Sequence, residues 1–319
     1  MKEGPGKVPA PCRTLLNFLT VMEISPCRAI AFDMIRISAT TVMLPHYDME
    51  ETAALLSRLG YDGAEWRIRR IPAGASCQPF SPWGNVKNDY TPEMFAEHPE
   101  KLIDASKRHK IDIAGIASDV PANDQKEIEL LAKGAAAAKA PFIRVTAPRN
   151  YDRKVNYNAL FEEASAAFSK ALDITRSYGV RILIEMHVGT IFVSSGLAHR
   201  FVSRFEPSEI SVIYDLANII QEGYENPRMA LELLGPYVGH VHLGGSAPKP
   251  GPRQADGTVN WHWEGTPLAE GVLDVKQSIC DLKAVSYDRF ISVEDFRDLP
   301  AEDRLKESLT YLRAAITSN

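Results

Sequence analysis

Glu185, Asp215, His242 and Glu294 stand out because each closes a short apolar run of the kind a strand shows where it emerges from a core. Arg181-Ile182-Leu183-Ile184 runs into Glu185, Ser211-Val212-Ile213-Tyr214 into Asp215, Tyr237-Val238-Gly239-His240-Val241 into His242, and Phe290-Ile291-Ser292-Val293 into Glu294. Three carboxylates and one imidazole make a mostly hard donor set. It suits one divalent ion, manganese, magnesium, cobalt or zinc, with positions left open for two substrate oxygens. Any one charge at a strand end is often only a surface residue. Three carboxylates buried together without a cation, however, would repel one another and resist ionisation, so four such ends in successive units favour a metal site.

These ends converge only if their strands lie parallel and close into a ring. The rest of the chain supplies that frame. Met34-Ile35-Arg36-Ile37-Ser38 reads as a first strand, Tyr61-Asp62-Gly63-Ala64-Glu65-Trp66 as a second, Ile111-Asp112-Ile113-Ala114-Gly115-Ile116 as a third and Phe142-Ile143-Arg144-Val145 as a fourth. Helical patterns separate them. Asp48 with Glu51 forms a capping-box signature before Thr52 to Leu59, and Gly60 supplies the stop. Further helices are expected near 99–109, 124–138, 158–178, 197–205, 227–234, 274–283 and 303–316. Two long loops, 72–92 and 244–267, carry Gly, Pro and aromatic residues, and loops of that length in a compact domain are usually functional or mobile.

Eight strand-helix units in about 285 residues predict an α/β fold, a (β/α)8 TIM barrel. An open doubly wound sheet is the competitor, but no Gly-rich phosphate turn follows the first strand. The expected division is a loosely ordered extension over 1–33 and one barrel domain over 34–319. The extension's apolar run, Leu15 to Met22, is short for a signal peptide.

Composition narrows the function classes. With 45% hydrophobic and 24% charged residues the chain is globular, and no run approaches the roughly 18 to 20 apolar residues that span a bilayer. The net charge of −5 makes nucleic acid a poor partner. Cys12, Cys27, Cys77 and Cys280 lack the close spacing of a zinc or redox motif. The expectation is reduced thiols in a cytoplasmic protein that acts on a small molecule, without membrane or nucleic-acid partners.

The motifs Ile184-Glu185-Met186-His187, Tyr214-Asp215-Leu216-Ala217-Asn218, Gly239-His240-Val241-His242-Leu243, Pro267-Leu268-Ala269-Glu270-Gly271-Val272-Leu273-Asp274 and Val293-Glu294 together resemble the xylose isomerase-like barrels. That family includes sugar isomerases and epimerases, inosose and 3-dehydroshikimate dehydratases, and endonuclease IV. The resemblance runs from Met34 to about Ile316 and implies that Glu185, Asp215, His242 and Glu294 are ligands to one divalent ion. Two positions depart from the epimerase pattern. Asn218 stands where many epimerases and endonuclease IV have a histidine, and Pro248 where the epimerases have an arginine. Endonuclease IV also needs additional histidines for a trinuclear cluster, which the ends of strands two and three and the region after His242 do not offer.

Within that frame the expected enzyme is a metal-dependent isomerase or epimerase of a keto-sugar or related polyol, working through an enediolate. Glu185 and Glu294 would take and return a proton on opposite faces. A lyase of the same fold, an inosose-type dehydratase or one eliminating from a 3-keto-glycoside, is the alternative, and endonuclease action at abasic sites ranks below both. A homo-oligomer and a subunit of a hetero-oligomeric enzyme are both compatible with the sequence.

Other candidates surround these residues. His187 lies two residues past Glu185 on the same face and could bond a substrate hydroxyl or orient the carboxylate, against the plainer reading of a structural histidine. His240 sits deeper in its strand and reads as core or as a support to the ligands. Arg144, Asn218 and Lys249 are candidate substrate contacts. Trp261 and Trp263 could form a platform for a sugar ring or aglycone, with His262 between them as an acid for a leaving group. Trp66 and Trp83 could line the other side of the same mouth.

Overall fold

Eight of the apolar runs form parallel strands that close on themselves. The structure, a computed structural model, describes residues 35–318 except 150, 152 and 224. The expected extension over 1–33, with Cys12 and Cys27, lies outside the described residues; Cys77 and Cys280 are free thiols. The barrel strands are β1 (Arg36–Thr40), β2 (Gly63–Arg67), β3 (Asp112–Ala117), β4 (Ile143–Arg144), β5 (Ile182–Glu185), β6 (Ile210–Asp215), β7 (Val238–Leu243) and β10 (Phe290–Val293). Between β7 and β10 stand β8 (Gly245–Arg253) and β9 (Val259–Thr266), a separate antiparallel pair. The barrel order β1-β10-β7-β6-β5-β4-β3-β2 returns to β1, as expected for a (β/α)8 barrel.

Helices α1 (Met49–Leu59), α2 (Pro92–Glu97), α3 (Glu100–His109), α4 (Gln125–Ala138), α5 (Tyr157–Tyr178), α6 (Ser195–Val202), α7 (Leu216–Glu222), α8 (Pro227–Leu234), α9 (Val275–Ala284) and α10 (Ala301–Thr317) lie between and after the strands. Their ends follow the local chemistry. Asp48 accepts from the Glu51 amide while the Glu51 side chain accepts from the Asp48 amide, and Gly60 ends α1 at φ 94°, a left-handed value that costs glycine no Cβ clash. No helix among the described residues is long and apolar enough to cross a membrane.

Strand alternation fixes what faces the interior. Leu183 and Ile213 join Phe142 in a small apolar cluster distinct from the main core. Two residues further along the same strands stand Glu185 and Asp215. The barrel therefore has an apolar floor and a polar upper layer. Gly115 makes the floor possible, since a Cβ there would come within 2.1 Å of the Phe142 ring.

Two expectations need correction. The stretch 244–267 is not an irregular loop but the β8–β9 hairpin, with Lys249 opposite His262 and Pro248 opposite Trp263. A two-stranded ribbon has only edge strands, so Pro248, Pro250 and Pro252 can sit where their missing amides break no inner ladder. Helix α7 was also not foreseen. It begins directly after Asp215, whose side chain accepts from the Asn218 amide at 2.9 Å and caps the helix.

Candidate metal centre

The four strand-end residues meet. Donor atoms of Glu185, Asp215, His242 and Glu294 all lie within 4.8 Å of one another. His242 Nδ1 is 3.3 Å from Glu185 Oε1, 3.4 Å from Glu294 Oε1 and 3.8 Å from Asp215 Oδ2. Donors held about 2.0–2.2 Å from one ion stand roughly 2.8–3.6 Å apart, close to this spacing. In barrel order the residues occupy the consecutive strands β5, β6 and β7 and the end of β10, so Glu185 and Glu294 mark the two ends of one arc.

Three of the four are held from behind. The Asn218 side-chain amide donates to Asp215 Oδ2, adding to the backbone amide on Oδ1. Arg144 Nη1 donates to Glu185 Oε2 at 2.6 Å, and its Nε donates to the Ser118 carbonyl at 2.9 Å. His242 Nε2 lies 2.8 Å from Glu65 Oε2. That leaves His242 Nδ1, buried and without a hydrogen-bond partner, directed at three carboxylates.

The electrostatics describe a site short of positive charge. Burial pushes the Glu294 carboxyl up to about 8, against the pull of His242, and Asp215, Glu185 and Glu65 add to the rise. Burial would lift Glu185 too, but the Arg144 guanidinium and His242 hold it well below the usual carboxylate range. Burial disfavours a charged His242, yet Glu65, Glu294, Asp215 and Glu185 together drive its imidazole well above the ordinary value. Protons thus collect where one divalent cation would satisfy an imidazole lone pair and three carboxylates together. The residues fit such an ion, and the mixed oxygen and nitrogen set accommodates zinc, magnesium, manganese or cobalt.

The remaining candidates separate into two groups. Arg144 and Asn218 are at the centre but engaged with Glu185 and Asp215. His187 is half-buried beyond β5, where its Nδ1 lies 2.7 Å from the Val188 carbonyl and its own carbonyl accepts from the Thr190 hydroxyl at 2.7 Å. Its ring is near enough to favour an ionised Glu185. Lys249, Trp261, His262 and Trp263 lie out on the hairpin instead. His262 is exposed and 3.2 Å from Glu264, Trp261 is 62% exposed and Trp263 packs partly against the core.

Two corrections follow from strand period. Trp261 and Trp263 share one face of β9 while His262 points to the other, so the three do not form a single wall. Trp66 is 1% exposed in the main core and lines no opening. Its neighbour Glu65, not anticipated as part of the site, points inward instead. Glu65 lies in the middle of Gly63-Ala64-Glu65-Trp66-Arg67 and not at its end, so it lacks the strand-end pattern that marks the other four. Trp83 is exposed, its ring tilted 31° against Phe296 at 5.5 Å between centroids, two residues past Glu294.

A family model described as a xylose isomerase-like TIM barrel matches residues 53–315. No curated protein matches the chain. Among solved structures, the IOLI protein with a binding zinc atom is 17% identical over 88% of this chain and 98% of its own, at a TM-score of 0.66. The probable 3-DHS dehydratase AsbF from Bacillus anthracis is 17% identical over 87% of this chain and 98% of its own, at 0.65. The 3-keto-D-glucoside 4-epimerase YcjR from E. coli is 14% identical over 88% and 99%, at 0.63.

Proposed function

The chain belongs to the xylose isomerase-like TIM barrel family, and from that premise we propose that it is a divalent-metal-dependent isomerase or epimerase of a keto-sugar or related polyol. The observation that carries this reading is the arc itself. Glu185 and Glu294 stand at its two ends, with Asp215 and His242 between them. When bound, a divalent ion supplies Lewis-acid polarisation of a substrate carbonyl, worth several kcal/mol.

The protein's own residues do the rest. Arg144 keeps Glu185 ionised and fixes its Oε2, Asn218 fixes Asp215, and Glu294, with its side chain 14% exposed, is the ligand most open to the mouth. One terminal carboxylate removes the proton from the carbon beside the carbonyl, and the C–H electron pair becomes the C=C bond of an enediolate. The other carboxylate delivers a proton to the opposite face, and collapse of the enediolate restores the carbonyl with one centre inverted. In this reading His187, beyond the end of β5, bonds a hydroxyl of the same substrate.

A lyase is the second reading. Pro248 occupies the place of the epimerase arginine, and the dehydratase AsbF shares the fold. Incubation with ketoses in deuterated water separates the two. Deuterium incorporation with every heavy atom retained is expected; release of water or an aglycone would move the assignment to elimination.

A further inference from the structure

The bond between Glu65 and His242 crosses the barrel. Glu65 lies on β2 and His242 on β7, and the barrel order places β1 and β10 between them. Glu65 is fully buried, its Oε1 has no hydrogen-bond partner, and its Oε2 lies 2.8 Å from His242 Nε2 and 3.3 Å from His240 Nε2. His240 Nε2 is also 2.8 Å from Ser292 Oγ, which in turn is 2.8 Å from Ser38 Oγ. Side chains from β1, β2, β7 and β10 therefore form one buried polar chain beneath the candidate metal centre.

A carboxylate accepts hydrogen bonds and does not donate them. In the 2.8 Å contact a hydrogen is therefore on His242 Nε2, so Nδ1 is the nitrogen left to give up its proton and offer a lone pair when a cation binds. Without this acceptor an imidazole among three carboxylates would gain most by turning an N–H toward them. That tautomer presents a hydrogen, not a lone pair, to the ion. Carboxylates behind metal-bound histidines fix orientation and raise basicity in this way, and their loss typically lowers metal affinity about 10–100-fold.

We infer that Glu65 is a positioning residue for the metal centre: from across the barrel it holds His242 with hydrogen on Nε2 and Nδ1 facing Glu185, Asp215 and Glu294. This rests on the metal-dependent reading above. It adds that β2, which supplies no ligand to the four-residue ring, sets the strength of metal binding. Glu65→Gln is the sharp variant, because an amide of the same shape can accept from or donate to the imidazole and so releases the choice of tautomer. Glu65→Met removes the polar partner altogether.

The test uses the full chain, stripped of metal and titrated with Co²⁺ alone, alongside thermal melts of the metal-free proteins and imidazole ¹⁵N spectra of the zinc-loaded ones. Both variants should bind Co²⁺ about 10–100-fold more weakly than wild type. Metal-free Glu65→Gln should melt close to wild type, and the protected Nε2–H signal of His242 should be lost in Glu65→Met. Co²⁺ affinity within about twofold of wild type in both variants would overturn the inference. So would weakened binding that tracks lost metal-free stability while the Nε2–H signal persists, since Glu65 would then serve only the fold. A wild-type chain that takes up no Co²⁺ would remove the metal-dependent reading itself, and this inference with it.

Discussion

The β8–β9 hairpin begins three residues after His242 of the strand-end ring, yet the two are built on opposite terms. Around His242 the carboxylates of Glu185 and Asp215 are buried and each is held by a further side chain, Glu185 by Arg144 and Asp215 by Asn218. On the hairpin, Lys249, Trp261 and His262 stand in solvent, and the polar contact of His262 is with its own strand. Rigid, desolvated groups set chemistry, while exposed ones are free to vary with the substrate. That contrast ranks the expected effects of substitution.

The largest belongs to the ring. His242→Ala or Glu185→Ala should reduce activity by about 10³-fold, as loss of an electrostatic group at a reacting centre does, measured as kcat/KM on the substrate found in the deuterium experiment. An unchanged rate would dissolve the contrast at once. Arg144→Ala should come next. It leaves Glu185 buried without its guanidinium and should lower the stability of the metal-free protein by about 3 kcal/mol, read from denaturant melts. A change below about 0.5 kcal/mol would mean that the pair is solvated in practice.

Asn218→Ala removes a side-chain donor from Asp215 and should weaken metal binding about tenfold, with titration calorimetry as the measure. Trp261→Ala should have the smallest effect on the frame. Being mostly exposed, Trp261 should alter stability by no more than about 0.5 kcal/mol and leave metal content unchanged. A rise in KM with kcat preserved would give the hairpin a part in holding substrate, whereas a loss of bound metal would join it to the ring.

What was legible in the sequence follows the same division. The ring could be read because a closed parallel barrel turns four distant strand ends into one place, and each end announced itself by an apolar run meeting a charge. The phase of β2 could not. Glu65 and Trp66 are adjacent, and nothing local says which faces inward; the structure buries Trp66 in the main core and leaves Glu65 facing His242. Asn218 was read as a departure from the epimerase pattern and a candidate substrate contact, not as a support for Asp215, because that service depends on the turn into α7. The hairpin was obscured by its prolines, which argue against a central strand but not against a ribbon made only of edges.

The metal centre is tested most directly by counting divalent ions per chain in purified wild type and in His242→Ala. About one ion per wild-type chain is expected from the four-donor set, with little or none retained by the variant. A wild-type protein without stoichiometric metal after exposure to zinc, manganese, magnesium and cobalt, or a variant that holds as much as wild type, would contradict it.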